Sequence, residues 1–412
     1  MSTLRAFLRR WLGVNEPAPS DGQDVSRGLM RVNRQLTQLQ GLLHQQADLT
    51  TEALHRAGWQ DGDVARQEAL ERALAAVRTD ADVLVGPWTG EVGFELLYWI
   101  PFLGWLAEQG PGGRRMVVVS RGGTALWYRH LTSRYVDLLE LMSPEEFRAQ
   151  TAGKKKQYDA RRGFDREVLA RVRERLGLQD GPVVHPSAMF RLFAALWRRR
   201  AAVDLVESFS VFRRFDPPPP EKPAGLPADY VLAKFYFSKA FPDTQENRTF
   251  AAETLQSVSR QTPVALLSTS VRLDEHSDFH AHGNSGLFVV DSHTVPHRNL
   301  ELQTRLIAGA RGFIGTYGGF SYLAPFHGVP SLSFFSRRNG FEPHHLDLAH
   351  RVFDRLLPGG FLALDRRAAH LVEPAVGQWG GRAFDQNNAI VDEADAVSSR
   401  DGVRHDSQKV TS

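Results

Sequence analysis

The stretch GFIGTYGGFSYLAPFHGVPSLSFFS, residues 312–336, constrains the fold more than any other part of this 412-residue chain. An apolar run ends at Gly315, a turn of Thr316, Tyr317, Gly318 and Gly319 follows, and a short helix is predicted to begin near Phe320. Gly328 and Pro330 then stop that helix before a second apolar run. Strand, glycine turn, helix and strand in that order make the repeating unit of a parallel α/β sheet. The turn falls at the carboxyl end of its strand, where open α/β sheets bind ligands. Glycines there allow a backbone to approach an anion, and a helix start offers N–H groups and a positive dipole end. Gly315, Thr316, Tyr317, Gly318, Gly319 and Ser321 are therefore the candidate phosphate-binding set, with the Thr316 and Ser321 hydroxyls as added donors. A tight turn selected only for packing has the same sequence.

The same texture recurs upstream. VLVGPWTGEVGFELLYWIPFLGWL, residues 83–106, runs from an apolar strand into a loop with Gly86, Gly90 and Gly93 and then into a helix. ADVLVG (81–86) and RMVVVS (115–120) read as buried parallel strands, and Pro101 implies a kink or a helix restart after Ile100. Beyond Pro217–Pro220, which favour an extended connector, strands are expected at 230–237, 264–268, 287–291, 312–315 and 331–335, with helices between them. The expected organisation is a helical extension over 1–80, a first Rossmann-like domain over 81–215, a linker over 216–226, a second Rossmann-like domain over 227–385 and a disordered tail over 386–412.

Composition excludes several classes. Apolar residues make up 42% and charged residues 24%, as in soluble globular proteins, and a formal charge of +3 does not by itself imply nucleic acid. With no cysteine, thiolate nucleophiles, disulfides and cysteine-held metals are ruled out. No apolar run is long enough to span a bilayer, and Arg9 and Arg10 interrupt the stretch a secretory signal would need, so cytoplasmic residence is expected. Leu4, Phe7, Leu8, Trp11 and Leu12 share one helical face, which suits either a membrane-surface contact at the inner face through residues 1–13 or packing on protein. Leu29, Val32, Leu36, Leu39 and Leu43 form about two heptads, a short seam for a homo-oligomer through 25–54 or for packing on the first domain.

Chemistry at the first glycine loop would come from Glu91 and Glu95. If the helix begins near Gly90, these carboxylates share a face at the mouth of the sheet. Near Trp88, Phe94 and Trp99 either one has the surroundings of a general base with a raised pKa. A helix-start acid and a structural hydrogen-bonder are the alternative roles. GEVGFELLYWIPFL resembles the first-domain glycine loop and helix of the fucosyltransferase superfamily. FIGTYGGFSYLA resembles the strand–loop–helix that cradles the donor diphosphate in protein O-fucosyltransferase-like enzymes. The resemblance covers residues 81–360 in order of elements and about thirty residues in motif detail. It implies a GT-B glycosyltransferase whose two domains face a cleft, taking a nucleotide-diphosphate sugar such as a GDP-sugar and a glycan or other hydroxyl acceptor, without a metal. Gly90 and Gly93 then belong to the acceptor side. The arginine motif these families carry after the first strand of the second domain is missing, which leaves Lys234 and Arg248 as the cations for the leaving group.

Two further readings stand beside this one. The cleft of a non-catalytic binding protein would look the same. The clusters His276, His280, His282 and His344, His345, His350 would suit a metal-dependent phosphohydrolase, although neither has HExxH spacing. The basic run at 154–162, KKKQYDARR, reads most simply as a solvated loop or helix start, with a specific role toward an anion as the lesser alternative.

Overall fold

The computed structural model describes residues 61–152, 156–159, 163–219, 223, 225–269, 276–281, 286–292 and 295–379. The apolar stretch 1–13, the heptads of 25–54, the tail from 386 and His282 lie outside the described residues. No described helix is long and apolar enough to cross a membrane.

The first half is built on strands β1 (Val83–Val85), β2 (Met116–Ser120), β3 (Tyr135–Asp137) and β4 (Val183–Val184), all parallel in the order β3-β2-β1-β4. Every residue of β1 and β2 is buried, as continuous valine-rich runs require when both faces of a sheet are covered. Helices α1 (Asp61–Val77), α2 (Val92–Phe94), α3 (Ile100–Ala107), α4 (Pro144–Thr151), α5 (Gly163–Leu176), α6 (Ser187–Leu192), α7 (Ala194–Trp197) and α8 (Asp204–Glu207) cover it. Helix α1 buries Ala69, Ala73 and Val77 and packs against α6, so this part of the N-terminal extension belongs to the cover of the first sheet.

The second half has a six-stranded parallel sheet of β5 (Val231–Lys234), β7 (Val264–Thr269), β9 (Leu287–Ser292), β10 (Gly312–Thr316), β11 (Ser331–Phe335) and β12 (Phe361–Asp365), ordered β12-β11-β10-β5-β7-β9. A two-stranded antiparallel ribbon joins β6 (Tyr236–Phe237) to β8 (Ser277–Asp278). Its helices are α9 (Gln245–Ser259), α10 (Asn299–Ala308), α11 (Gly319–Phe326), α12 (Pro343–Leu356) and α13 (Val372–Trp379). Numbered along the chain, the six parallel strands run 3-2-1-4-5-6 and the first sheet 3-2-1-4, the Rossmann order in both. The topological switch point lies between β5 and β10 in one sheet and between β1 and β4 in the other.

The two halves are closely joined. One apolar cluster runs from Trp88, Leu97 and Phe190 through to Tyr322, Phe326 and Phe353. Trp127 Nε1 donates to Thr304 Oγ1 at 2.9 Å, and Arg351 bridges Asp204 and Glu207. Phe215 stacks on Phe326 at 4.8 Å, so the chain has already crossed to the second half before the prolines begin. Between α2 and α3 the helix widens into a π-helical stretch, Glu95–Trp99, and runs on into α3 through Pro101, with Trp99 and Ile100 keeping helical dihedrals, so no restart occurs after Ile100.

Candidate functional site

At the switch point of the second sheet, β10 delivers the glycine turn and β5 delivers Lys234. The hydroxyls of that turn are already engaged. Thr316 Oγ1 accepts from Tyr236 N at 3.0 Å and donates to Tyr236 O at 2.9 Å, tying β10 to β6. Ser321 Oγ donates to Gly318 O at 2.7 Å and accepts from Gly318 N at 3.1 Å, which closes the start of α11. Both side chains are fully buried, so neither serves as the phosphate donor expected from the sequence. Gly315 is needed where β10 passes the Lys234 carbonyl, and Gly318, at φ +149°, leaves room for the Tyr236 hydroxyl. Tyr317 is buried, its hydroxyl accepting from Tyr322 at 2.7 Å, and burial raises its pKa. What the turn leaves available is the backbone. Among the described residues the N–H groups of Gly319 and Phe320, the first two of α11, have no acceptor.

The first glycine loop meets this turn directly. A Cβ on Gly319 would lie 2.8 Å from Val92 Cγ1 and 2.9 Å from Gly93 N, and one on Gly93 would lie 3.7 Å from Gly319 N. Gly319 is therefore required for α2 and α11 to touch end to end, whereas a Cβ on Gly93 would make only ordinary contacts. Glu91 is the residue before α2, in extended conformation (φ −70°, ψ 150°), and borders the cavity between the halves. Glu95 does not share its face. It is completely buried, its Oε1 accepting from Ser120 Oγ and Tyr128 OH at 2.6 Å each and its Oε2 from Arg121 Nη1 at 2.7 Å. A carboxylate so enclosed has no route to a substrate hydroxyl. Its work is to hold Arg121, whose other amino group donates to the Gly90 carbonyl.

The cavity has a volume of about 850 Å³ and walls from both halves. Glu91, Arg121, Arg148 and Lys156 come from the first, and Lys234, Asp278, Asn299, Gln303, Phe320 and His345 from the second. Lys234 is buried and paired with Asp278 at 2.8 Å, with its ammonium 4.7 Å from the Phe320 ring centre. Arg248 is elsewhere: it forms a bidentate pair with Asp243 at 2.6 and 2.7 Å on the outer surface, over Phe237, and does not border the cavity. A 2.6 Å hydrogen bond joins His345 Nδ1 to the Tyr98 hydroxyl, and burial lowers the imidazole pKa to about 3 while raising that of Tyr98. His345 therefore stands neutral in the wall. His276 and His280 also border the cavity, yet among the described residues no three His, Asp or Glu side chains gather as metal ligands.

Three residues of this cavity wall were not singled out one by one in the sequence. Arg121 follows the strand 115–120 in the tripeptide Arg-Gly-Gly, the same strand-then-glycine pattern as the other two loops, and that pattern was the available signal. Lys156 was hidden in the basic run, and His345 was grouped with a metal cluster.

No family model matches the chain, and no curated protein matches it. Solved structures do. An E. coli heptosyltransferase WaaC with ADP is 15% identical, aligning 72% of this chain with 99% of that one at a TM-score of 0.39. The E. coli ADP-heptose lipopolysaccharide heptosyltransferase II is 9% identical over 72% of this chain and 98% of that one, with a TM-score of 0.42. The iron-containing dodecameric glycosyltransferase TibC of enterotoxigenic E. coli is 13% identical at a TM-score of 0.34, and the match takes in 65% of this chain and 61% of that one.

Proposed function

We propose that this chain is a glycosyltransferase of GT-B type, moving a sugar from a nucleotide diphosphate to a hydroxyl acceptor. One observation carries this reading. The carboxyl ends of two Rossmann-ordered sheets open onto a single cavity, with an acid from one half and unclaimed helix-start N–H groups from the other. Its volume is in the range of small-molecule and cofactor sites.

In this reading the donor diphosphate lies at the start of α11. The acceptor hydroxyl lies at Glu91, which takes its proton as the oxygen attacks the anomeric carbon. The bond from that carbon to the phosphate oxygen breaks with its electron pair on oxygen, and the new charge is met by the Gly319 and Phe320 amides and Lys234. Arg121 fixes the Gly90 carbonyl and so the loop that carries Glu91. A GDP-linked fucose-like donor is the specific form implied by the resemblance of residues 90–103 and 313–324, and that resemblance is its sole support.

Calorimetric titration with GDP, UDP, ADP, dTDP and their sugar conjugates tests the reading. One diphosphate should bind at micromolar Kd. Phe320→Ala keeps the N–H and should bind within a few-fold of wild type, whereas Phe320→Pro removes it and should weaken binding about tenfold or more, as expected for a charged hydrogen bond. Absence of binding across the panel would overturn the transferase reading.

A further inference from the structure

Of the five cations bordering the cavity, two are already neutralised by ion-pair partners. Arg121 is paired with Glu95 at 2.7 Å and Lys234 with Asp278 at 2.8 Å. Arg148 lies 3.6 Å from Glu145 on the same helix, and Lys239 is exposed. Lys156 differs from all four. It is half-buried, and among the described residues its ammonium makes no ion pair. Instead the Nζ sits 5.0 Å from the Trp197 ring centre and 5.4 Å from that of Phe94. Aromatic faces attract a cation weakly and replace only part of its lost hydration. Burial accordingly lowers the Lys156 pKa, against the opposing pull of Glu342 and Glu91.

The position of this amine is fixed from behind. Gln157, the next residue, is buried, its Oε1 accepting from Thr89 N at 3.0 Å and its Nε2 donating to Pro87 O at 2.8 Å. Phe94, under the ammonium, follows Gly93, and Gly93 abuts Gly319 N. The ammonium and the two free amides thus border the same cavity from opposite halves.

We infer that Lys156 binds a phosphate of the donor diphosphate, so that the leaving group is held by a cation of the first half and the helix start of the second. This inference rests on the transferase reading of the cavity. It adds a cation of the acceptor-side domain to the leaving-group site, beside Lys234 of the second half, whose charge is shared with Asp278, whereas Arg248 lies on the outer surface. A structural lysine that merely covers Phe94 and Trp197 would be indifferent to phosphate.

Titration of inorganic pyrophosphate, then of GDP, UDP, ADP and dTDP with the matching nucleosides, separates the two roles. For the diphosphate that wild type binds, Lys156→Met should weaken binding about tenfold or more and leave nucleoside affinity unchanged, and Lys156→Arg should recover most of the loss. Lys156→Gln repeats the test with a side chain that stays polar, and near-ultraviolet circular dichroism checks the fold of each variant. If Lys156→Met binds diphosphate like wild type while Phe320→Pro still weakens it, the inference fails and the transferase reading stands. Equal losses for diphosphate and nucleoside, or a loss that Arg does not restore, mark a structural lysine and overturn the inference as well. Should wild type bind nothing in the panel, both fall together.

Discussion

Glu91 and Glu95 differ by one physical fact that their spacing conceals. Residues four apart share a face only when both are helical, and Glu91 is extended while the helix starts at Val92. One acid therefore borders the cavity and the other is enclosed by Ser120, Tyr128 and Arg121. Glu91→Gln should lower transfer by a factor of about 10² to 10⁴, the usual worth of a general base, with diphosphate affinity and thermal stability close to wild type. Glu95→Gln should behave oppositely. It strands the buried Arg121 charge and should cost about 3 kcal/mol of stability, read as a lower urea midpoint. Unchanged turnover in Glu91→Gln would remove the base. The pair shows the limit of the sequence at this scale: that acids stood at a strand end was legible, whereas which one borders the cavity depended on a helix start displaced by two residues. Arg121 was illegible for a related reason, since its partners Glu95 and Gly90 lie 26 and 31 residues away.

At the scale of elements, strands set in continuous apolar runs were legible, the three-residue β1 included, and β3, β4 and β12 were not. The runs at 115–120, 264–268 and 331–335 coincide with β2, β7 and β11, because a strand buried on both faces shows itself as continuous apolar sequence. Strands β3 and β4 have three and two residues, too few for any period, and β12 is only partly buried. The glycine turns were found, but their glycines answer mostly to packing. Gly319 in particular keeps α11 against Val92 and Gly93. Gly319→Ala should therefore destabilise the protein by about 1–3 kcal/mol through overpacking, although alanine is the better helix former. Adding Val92→Ala removes the 2.8 Å collision with Cγ1 while leaving those with Val92 Cβ and Gly93 N at 2.9 Å each, so the double variant should recover only a small part of the loss in a denaturant titration. A Gly319→Ala protein as stable as wild type would show that the two helix starts are free to part.

For the whole molecule, the joined core places imidazoles where they stay uncharged. Burial lowers the pKa of His130, His327 and His350 to about 4 and that of His345 to about 3, with Arg213 adding to the effect at His130 and with Lys156 and His344 adding to it at His345. His130 and His327 both lie against Phe215, at ring distances of 6.1 and 5.5 Å, where the chain crosses between the halves. Unfolded, each returns to about 6.5 and takes up a proton that the folded state refuses. Between that value and the folded pKa the unfolded chain binds more protons, so stability rises with pH; this contribution is complete above about pH 6.5 and is lost as pH falls. Each such histidine contributes a slope of about 1.4 kcal/mol per pH unit at its steepest. Urea midpoints measured at steps from pH 7.5 to 5, above the titration of most carboxylates, should fall progressively, and His327→Phe should flatten the curve by one proton's share. Because the apolar cluster is continuous across both sheets, the loss should appear in one cooperative transition, with tryptophan fluorescence of the first half and far-ultraviolet circular dichroism changing together. A flat midpoint over this range would mean that these imidazoles take up protons in the folded state, and two separated transitions would mean that the contact at Phe215 does not bind the halves into a single folding unit.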